Sequence, residues 1–415
     1  WQSRTGLGSA LPVADPGSHA TLLLTEFASS LARLLHAHEM TPVRRLADVA
    51  DACGEGCKMA IPRFQANPLT ARRMIVFFPT YARRIPDGWR ATVAGMVSRP
   101  LPERSRRRSL AMAVFKRLLD LDDAALATEV FRRRAESFLF QRVAGRRLRI
   151  LLGERNLEAG PSDRSGHFQA TFDLDDDFVA AHASSPQDGS CGWLSYTAIP
   201  DEDEAPELPA GEGRIHLVPE TGVSVISDID DTVKVTNVAD RRELLRNTML
   251  REFTAVPGMP EAYRRWEEAG ARFHYVSSSP WQLSNCLCTF LGAAGLPAGS
   301  MHLKLFRLKD STPLGRLATR KRSKRRAIEQ IMADFPRRRF VLVGDSGERD
   351  PEVYAAVARR RSDQVAAVLI RRVPARTAAN HASLRFDKLA RRLPAGALQT
   401  FTVAEDLAAL PESPP

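Results

Sequence analysis

The chain has 415 residues, of which 44% are hydrophobic, and this length and composition predict two globular domains with sizeable cores. Its 60 Lys and Arg residues against 49 Asp and Glu give a net charge of +11. Such a charge attracts anionic lipid, nucleic acid or a phosphorylated substrate, without choosing among them. Because Arg greatly outnumbers Lys, a bias in composition is an equally good explanation of the charge.

The composition argues against membrane-spanning and disulfide-stabilised classes of protein. No apolar run approaches the ~20 residues that a helix needs to cross a bilayer. The five Cys residues are odd in number and lack the spacing of a zinc site, so we expect free thiols in a reducing compartment. The sequence begins at Trp1, which indicates a fragment, and its first residues lack the pattern of a secretory signal. We therefore expect a cytoplasmic protein that can associate peripherally with membranes.

The first half of the chain predicts an extension followed by a β-rich domain. Residues 1–70 are irregular apart from one helical pattern at 22–35. Strand patterns follow at 74–79, 89–97, 147–152 and 166–174. Between them, 109–140 is helical, with an apolar face formed by Leu110, Val114, Leu118 and Leu121. We predict a sandwich-like domain with helical insertions over 71–200.

An acidic, Pro-containing segment at 201–211 marks the clearest boundary in the chain. It cannot bury enough apolar surface to fold alone, so we expect a linker, with a regulatory acidic loop as the alternative. Strands and helices then alternate over 212–412, which is typical of a parallel sheet covered on both faces. The predicted strands are 222–227, 272–277, 339–344 and 365–373, and the predicted helices are 260–269, 282–294, 323–334 and 351–361.

Three carboxylates, Asp228, Asp230 and Asp231, directly follow the first of these strands. Their mutual repulsion favours a positive partner, and Mg²⁺ prefers carboxylate and phosphate oxygens. Alternation along an extended strand end places Asp228 and Asp230 on one side. There, one of them can attack phosphorus while the other transfers a proton. The alternative is that the cluster caps a helix or lies in a turn.

Ser277 follows the second strand, at a predicted strand–helix junction. Hydroxyl and backbone N–H groups at such a junction can bind phosphate oxygens. The alternative is that the serine only caps the following helix. Lys324 is predicted to open a helix, a position that opposes the helix macrodipole and favours a nearby anion. Neighbouring basic residues are alternatives to it: Lys321, Arg322, Arg325, Arg326 and the more distant Lys304. Asp345 and Asp350 form a second acidic cluster after the third strand. Together these segments predict a site for a metal ion and a phosphate group.

The four segments resemble, in order and spacing, the motifs of the haloacid-dehalogenase superfamily. The matching motifs are Asp228-x-Asp230-x-Thr232, Ser277, Lys324 and Gly344-Asp345-x-x-x-x-Asp350. Longer stretches at 227–234, 275–283 and 344–354 resemble the catalytic domain of the yeast actin-patch phosphatidate phosphatase family. Stretches between 78 and 140 resemble the N-terminal portion of that family.

The resemblance implies a Rossmann-like α/β phosphatase domain of the haloacid-dehalogenase type over 212–412. It implies Asp228 as the nucleophile and Asp230 as the general acid and base. Ser277 and Lys324 are expected to hold the phosphoryl group, and Thr232 completes the catalytic set. The implied cofactor is Mg²⁺, with Asp228, Asp345, Asp350 and the backbone carbonyl of Asp230 as ligands.

The implied reaction is hydrolysis of phosphatidate to diacylglycerol and phosphate. The expected partner is therefore an anionic phospholipid at a membrane surface, and no nucleic acid is expected. Two alternatives remain open at this point. The substrate can be a soluble phosphomonoester or a phosphoprotein, or the chain can be a lipid-surface or nucleic-acid-binding scaffold with a vestigial phosphatase domain.

Overall fold

A computed structural model of the chain describes residues 74–184, 192–199, 212–238, 240–304, 313–373, 386–407 and 410. The predicted helix at 22–35 and the acidic segment at 201–211 lie outside the described residues. Within the described ranges, the strands form two sheets, one with nine strands and one with six. No helix in these ranges is both long and apolar enough to cross a bilayer.

The nine-stranded sheet is built around one long strand. Its members are β1 (Met74–Phe78), β2 (Thr80–Ile85), β3 (Gly88–Pro100), β4 (Phe140–Arg142), β5 (Arg147–Leu152), β6 (Arg155–Pro161), β7 (His167–Leu174), β8 (Trp193–Ile199) and β9 (Gly213–Val218). Strand β3 pairs with β1 and β2 along one edge and with β4 and β7 along the other. Every pairing is antiparallel except that of β2 with β9.

Residues from both halves of this sheet meet in one hydrophobic cluster, which includes Phe77, Val93, Ile150 and Ile215. The sheet therefore curls around a single core. The prediction of a β-rich unit is confirmed, and its described strands form one continuous sheet.

Three short helices replace the single predicted helical stretch at 109–140: α1 (Arg106–Leu119), α2 (Asp123–Ala127) and α3 (Glu129–Glu136). Each starts at a polar N-cap, namely Ser105, Asp122 and Thr128, whose side chain accepts a backbone N–H bond. Asp120, in the left-handed region with φ 51°, ends α1. These caps divide the stretch into separate helices.

The predicted apolar face of this helical stretch was wrong by one residue. Ala111, Phe115 and Leu119 are buried, whereas Leu110 and Val114 are only partly buried. The side chain of Leu118 lies outside the described part of the chain, and Leu121 is buried. The shift follows from Phe115, whose large ring packs edge-on against Phe131 and so sets the centre of the buried stripe.

The six-stranded sheet is parallel throughout, as predicted. Its strands are β10 (Gly222–Ser227), β11 (Arg272–Pro280), β12 (Gly299–Lys304), β13 (Arg338–Asp345), β14 (Val365–Arg371) and β15 (Leu398–Phe401). They run in the order β12-β11-β10-β13-β14-β15. This is the order of a doubly wound sheet, in which the direction of strand addition reverses between the two central strands.

Helices cover both faces of the parallel sheet. They are α5 (Arg241–Met249), α6 (Met259–Glu268), α7 (Ser284–Ala293), α8 (Pro313–Asp334) and α9 (Asp350–Arg360). The remaining helix, α4 (Asp176–His182), lies between β7 and β8 of the nine-stranded sheet. Val225 of β10 lies in a cluster with Tyr263 of α6, whereas Ile226 lies in a second cluster with Ile331 of α8. Neighbouring strand residues thus face opposite layers, as the pleat requires.

Helix α8 begins at Pro313, so the prediction that Lys324 opens a helix was wrong. Proline is tolerated in the first turn of a helix, where no intrahelical N–H bond is lost. Between Pro313 and Ile328 the apolar spacing is short and is interrupted by the basic run 320–322, so the sequence alone did not extend the helix back to Pro313. The macrodipole argument for Lys324 therefore does not apply.

The N-terminal unit, built on the nine-stranded sheet, and the parallel-sheet unit are in direct contact. Met301 N donates a 2.9 Å bond to Pro79 O, and Tyr81 Oη donates a 2.6 Å bond to Asp334. The cluster that contains Val225 also contains Phe115 and other residues of the α1–α3 region. The first three helices therefore share a core with the parallel-sheet unit.

Candidate active site

The candidate site lies at the carboxyl ends of β10 and β13, the two central strands of the parallel sheet. In a doubly wound sheet, this reversal point forms the crevice in which ligands bind. Asp228 follows β10, and its backbone N donates a 2.9 Å bond to Val343 O of β13. Asp345 ends β13, and Asp350 opens α9 beside it. Each of these three carboxylates is buried.

Lys324 is the cation at the centre of this cluster. Its Nζ lies 2.7 Å from Asp228 Oδ1 and 2.5 Å from Asp350 Oδ1, and its side chain is buried. Burial alone would lower the pKa of Lys324, but the two carboxylates raise it well above its ordinary value. The lysine is therefore positively charged in the folded protein.

Three carboxylate oxygens of this cluster have no hydrogen-bond partner among the described residues: Oδ2 of Asp228, Asp345 and Asp350. The possible ligand atoms of the three residues lie within 4.8 Å of one another. Burial raises the pKa of Asp228 and of Asp345 well above the usual range, and the negative charge of Asp350 adds to both shifts. One lysine cannot offset three buried carboxylates, and oxygen ligands of this kind suit a divalent cation such as Mg²⁺. The residues present therefore fit a metal ion.

Local backbone structure orients the metal-facing oxygens. Asp345 Oδ1 accepts bonds from Gly347 N at 2.6 Å and Glu348 N at 3.0 Å, which leaves Oδ2 for another partner. At position 344 a side chain would collide with Asp350 Oδ2 and the Tyr354 ring. Glycine at this position therefore allows α9 to bring Asp350 close to the end of β13.

Asp230 lies in a separate environment, surrounded by four donors. Lys234 Nζ and Thr236 Oγ1 lie 2.8 and 2.9 Å from Oδ1, while Ser279 Oγ and Ser277 Oγ donate to Oδ2 at 2.6 and 3.2 Å. Burial acts to raise the pKa of Asp230, but the Lys234 charge and the hydrogen bonds outweigh it and lower the pKa to about 2. Asp230 is thus a carboxylate at neutral pH.

Asp231, the third aspartate of the segment that follows β10, stabilises a backbone turn. Asp231 has φ 53° and accepts bonds from Thr236 N, Asn237 N and Val238 N at 2.7, 2.8 and 2.7 Å. The turn alternative considered from the sequence thus describes Asp231. Thr232 is buried, and its Oγ1 has no hydrogen-bond partner among the described residues.

The structure brings together most of the residues singled out from the sequence: Asp228, Asp230, Ser277, Lys324, Asp345 and Asp350. Of the basic alternatives, Arg325 pairs with Glu329 at 3.4 Å, and the side chains of Lys321 and Arg322 lie outside the described part of the chain. The position of Lys304, at the end of β12, is buried.

Sequence reasoning missed Lys234, Thr236 and Ser279, all of which contact Asp230. A signal for Ser279 was present, because it lies two residues beyond Ser277 on the same strand and so faces the same side. Lys234 and Thr236 reach Asp230 only through the turn that Asp231 closes, which no periodicity reveals.

Comparison with known proteins points to the same part of the chain. Residues 223–372 match the family model described as the catalytic domain of phosphatidate phosphatase APP1. Phosphatidate phosphatase APP1 of Saccharomyces cerevisiae is 38% identical over 155 residues, which are 36% of this chain and 26% of that protein. An uncharacterized protein of Schizosaccharomyces pombe is 32% identical over 170 residues, which are 40% of this chain and 28% of that protein. Each alignment thus spans little more than a quarter of the relative.

Comparison with solved structures adds no argument. A Bifidobacterium dentium beta-glucuronidase aligns with 80% of this chain and 61% of its own at 9% identity, with a TM-score of 0.24. A carbohydrate esterase aligns with 59% of this chain and 82% of its own at 11% identity, with a TM-score of 0.19. Scores this low do not indicate a shared fold.

Proposed function

We propose, from the match of residues 223–372 to the family model for the catalytic domain of phosphatidate phosphatase APP1, that this chain is a Mg²⁺-dependent phosphoric monoester hydrolase acting on phosphatidate. Its products are diacylglycerol and phosphate. The observation that carries the proposal is the group of three buried carboxylates beside the buried Lys324, each with an oxygen that has no partner in the described part of the chain. A charge cluster of this kind suits phosphoryl transfer, in which catalysis depends on positioning and on offsetting negative charge.

We assign the phosphatase domain, which was predicted over 212–412 and whose parallel sheet begins with β10, to the haloacid-dehalogenase type. The order of the four motifs and the strand order of the parallel sheet support this assignment. In the same proposal, 1–70 is an N-terminal extension and 71–200 forms the β-rich domain together with β9, which joins the nine-stranded sheet after the 201–211 segment, so that segment does not separate the two domains.

In the first step, a carboxylate oxygen of Asp228 attacks phosphorus, and the bond from phosphorus to the leaving oxygen breaks. As the negatively charged phosphoryl group binds beside Asp230, it raises the pKa of this carboxylate from about 2, and Asp230 takes up a proton from solvent, which it then donates to the leaving oxygen. Lys324 supplies positive charge beside the nucleophile, and the hydroxyl of Ser277, which donates to Asp230 in the free protein, turns to donate to a phosphoryl oxygen. The product of this step is an aspartyl-phosphate on Asp228 and free diacylglycerol.

In the second step, water attacks the phosphorus of the aspartyl-phosphate. Asp230 accepts a proton from this water, and the bond from phosphorus to Asp228 breaks to release inorganic phosphate. Ser279 and Thr236 hold Asp230 through both steps, because each donates to its carboxylate.

The metal ligands in this proposal are Asp228, Asp345, Asp350 and the backbone carbonyl of Asp230. When bound, Mg²⁺ offsets negative charge on the phosphoryl oxygens and on the buried carboxylates. The unpartnered oxygens of the three side chains support this ligand set.

The proposed substrate lies in a membrane, so the enzyme must work at an anionic surface. The net charge of +11 supports such binding, since basic residues near the surface contribute about 1 kcal/mol each. Only some of the arginines are available for it. Arg104 and Arg106 are exposed, whereas Arg108 is paired with Glu136 and Arg134 is buried.

Phosphate release should be measured from phosphatidate vesicles and from a panel of soluble phosphomonoesters, with Mg²⁺ and with excess EDTA. We expect faster release from the vesicles, dependence on Mg²⁺, and a decrease with added salt as surface attraction is screened. If a soluble ester is hydrolysed rapidly and phosphatidate vesicles are not hydrolysed, the substrate is a soluble phosphomonoester and not phosphatidate. Undiminished turnover in EDTA after exhaustive dialysis would contradict the metal dependence.

A further inference from the structure

Arg134, on α3 of the N-terminal unit, is among the largest fully buried side chains, with 1% of its surface exposed. Its guanidinium crosses to the parallel-sheet unit. Nη1 donates to Thr248 O at 2.5 Å and to Asn247 O at 3.3 Å, both in the last turn of α5. A cation at this end of a helix is favourable, because the terminal carbonyls lack intrahelical donors. Arg134 therefore ties α3 to the segment that follows the first acidic motif.

One path from this contact leads to Asp230 through hydrogen bonds. The side chain of Asn247, whose carbonyl Arg134 binds, donates from Nδ2 to Thr236 O at 3.0 Å. Thr236 Oγ1 in turn donates to Asp230 Oδ1 at 2.9 Å. Two residues thus join the Arg134 contact to the carboxylate.

A second path runs through an aromatic ring. The guanidinium carbon of Arg134 lies 3.7 Å from the centre of the Phe253 ring, and Lys234 Nζ lies 4.7 Å from the same centre. Both distances fit cation–π contacts. Lys234 Nζ is also 2.8 Å from Asp230 Oδ1. The backbone supports this path, because Val235 N donates to Thr254 O at 2.8 Å.

We infer that Arg134 is a positioning residue for Asp230, and that the N-terminal unit contributes to catalysis by holding the turn on which Asp230 depends. The inference rests on the proposed function, in which Asp230 transfers the proton. Both paths end at one oxygen, Asp230 Oδ1, and they are joined by a 2.6 Å hydrogen bond from Lys234 Nζ to Thr236 Oγ1, so loss of Arg134 loosens both. A displacement of about 1 Å at a reacting group can cost about a hundredfold in rate.

The test compares Arg134→Met, which keeps the apolar stem, with Arg133→Met as a matched control. Arg133 is the neighbouring residue, is half exposed, and pairs with Glu252 at 2.8 Å, as Arg134 does at 3.5 Å. The first readout is amide hydrogen exchange of metal-free protein at Thr236, Asn237 and Val238, which donate to Asp231. The second is kcat and KM for p-nitrophenyl phosphate with Mg²⁺.

We expect Arg134→Met to exchange these three amides at least about tenfold faster and to lose about tenfold to a hundredfold in kcat, with KM within about twofold. Arg134→Lys should be intermediate, because an ammonium can still donate to the carbonyls but lacks the planar guanidinium that stacks on the Phe253 ring. Arg133→Met should match the wild type in both readouts. If Arg134→Met does not fold, Phe253→Leu takes its place, since it removes the ring that both cations contact.

Unchanged exchange and unchanged kcat in a folded Arg134→Met protein would overturn the inference, and so would equal losses in Arg133→Met. The exchange readout needs no turnover. A wild type that hydrolyses neither p-nitrophenyl phosphate nor phosphatidate would therefore contradict the proposed function, while exchange still decides whether Arg134 holds the turn.

Discussion

Lys324 and Asp228 lie 96 positions apart in the sequence, yet Lys324 Nζ donates a 2.7 Å hydrogen bond to Asp228 Oδ1 inside the protein. The same ammonium lies 2.5 Å from Asp350 Oδ1. One lysine from α8 thus joins the acidic residues that follow β10 and β13. The parallel order of the strands makes this possible, because it brings their carboxyl ends to one edge of the sheet.

Lys324→Met should destabilise the metal-free protein, because it leaves Asp228 and Asp350 buried without their cation. Breaking a buried pair in this way costs about 3–5 kcal/mol. The matched control is Arg325→Met, which removes the next residue and its partly exposed pair with Glu329. That change should cost no more than about 1 kcal/mol. Denaturant unfolding of both variants measures the difference, and equal losses would contradict the central position given to Lys324.

Mg²⁺ should stabilise the wild type against thermal unfolding, because the proposed ligands come together only in the folded protein. At a concentration of about 100 times Kd, the gain is about 2.7 kcal/mol. Asp345→Asn should lose most of this gain and remain folded without metal, since it removes negative charge from a crowded cluster. Asp173→Asn, which alters an exposed pair with Arg90, is the control. A full Mg²⁺ effect in Asp345→Asn would remove that residue from the ligand set.

Two buried histidines, His216 and His274, should make the folded protein less stable in acid. Burial lowers the pKa of His216 to about 3 and that of His274 well below its ordinary value. In the unfolded chain a histidine has a pKa of about 6.5. As pH falls below that value, the unfolded state binds protons that the folded state does not. The free energy of unfolding should therefore fall by about 1.4 kcal/mol per pH unit for each histidine, until pH approaches the folded pKa.

The measurement is denaturant unfolding at several pH values between neutral and mildly acidic. His216→Phe preserves stacking on Trp193. It should reduce the slope of the free energy of unfolding against pH by about 1.4 kcal/mol per pH unit, the contribution of one histidine. Removing the partly buried His182 as His182→Gln should not flatten the pH dependence, because its hydrogen bond with the Phe178 carbonyl raises the pKa of His182. If the slope is unchanged in His216→Phe, the burial of His216 in its neutral form is not a source of the loss of stability in acid.

The sequence predicted those parts of the fold and site that depend on local pattern. Apolar runs ending in polar residues located β10, β11, β13 and β14, and their shared edge follows from parallel order. Helix α5 and strand β12 were not predicted, because α5 is short and rich in charge and β12 mixes polar with apolar residues. Their patterns are too weak to stand out.

Contacts between distant segments could not be predicted. Lys234 and Thr236 meet Asp230 only because Asp231 adopts a positive φ and gathers three backbone amides. Arg134 reaches α5 across the boundary between the two units, and nothing in its helix distinguishes it from the exposed Arg133 beside it. Such contacts depend on tertiary packing, which periodicity does not encode.

The most direct test of the central claim is to mix the protein with vesicles containing phosphatidate labelled at phosphorus, in the presence of Mg²⁺, and to quench in acid within one turnover. We predict that label becomes covalently bound to the wild-type protein and is then released as inorganic phosphate. Asp228→Asn, which keeps the shape of the side chain without its nucleophilic oxygen, should bind no label and should lose at least about three orders of magnitude in turnover, or about 4 kcal/mol. Phosphate release without a labelled protein, or equal labelling of Asp228→Asn, would contradict the assignment of Asp228 as the phosphoryl acceptor.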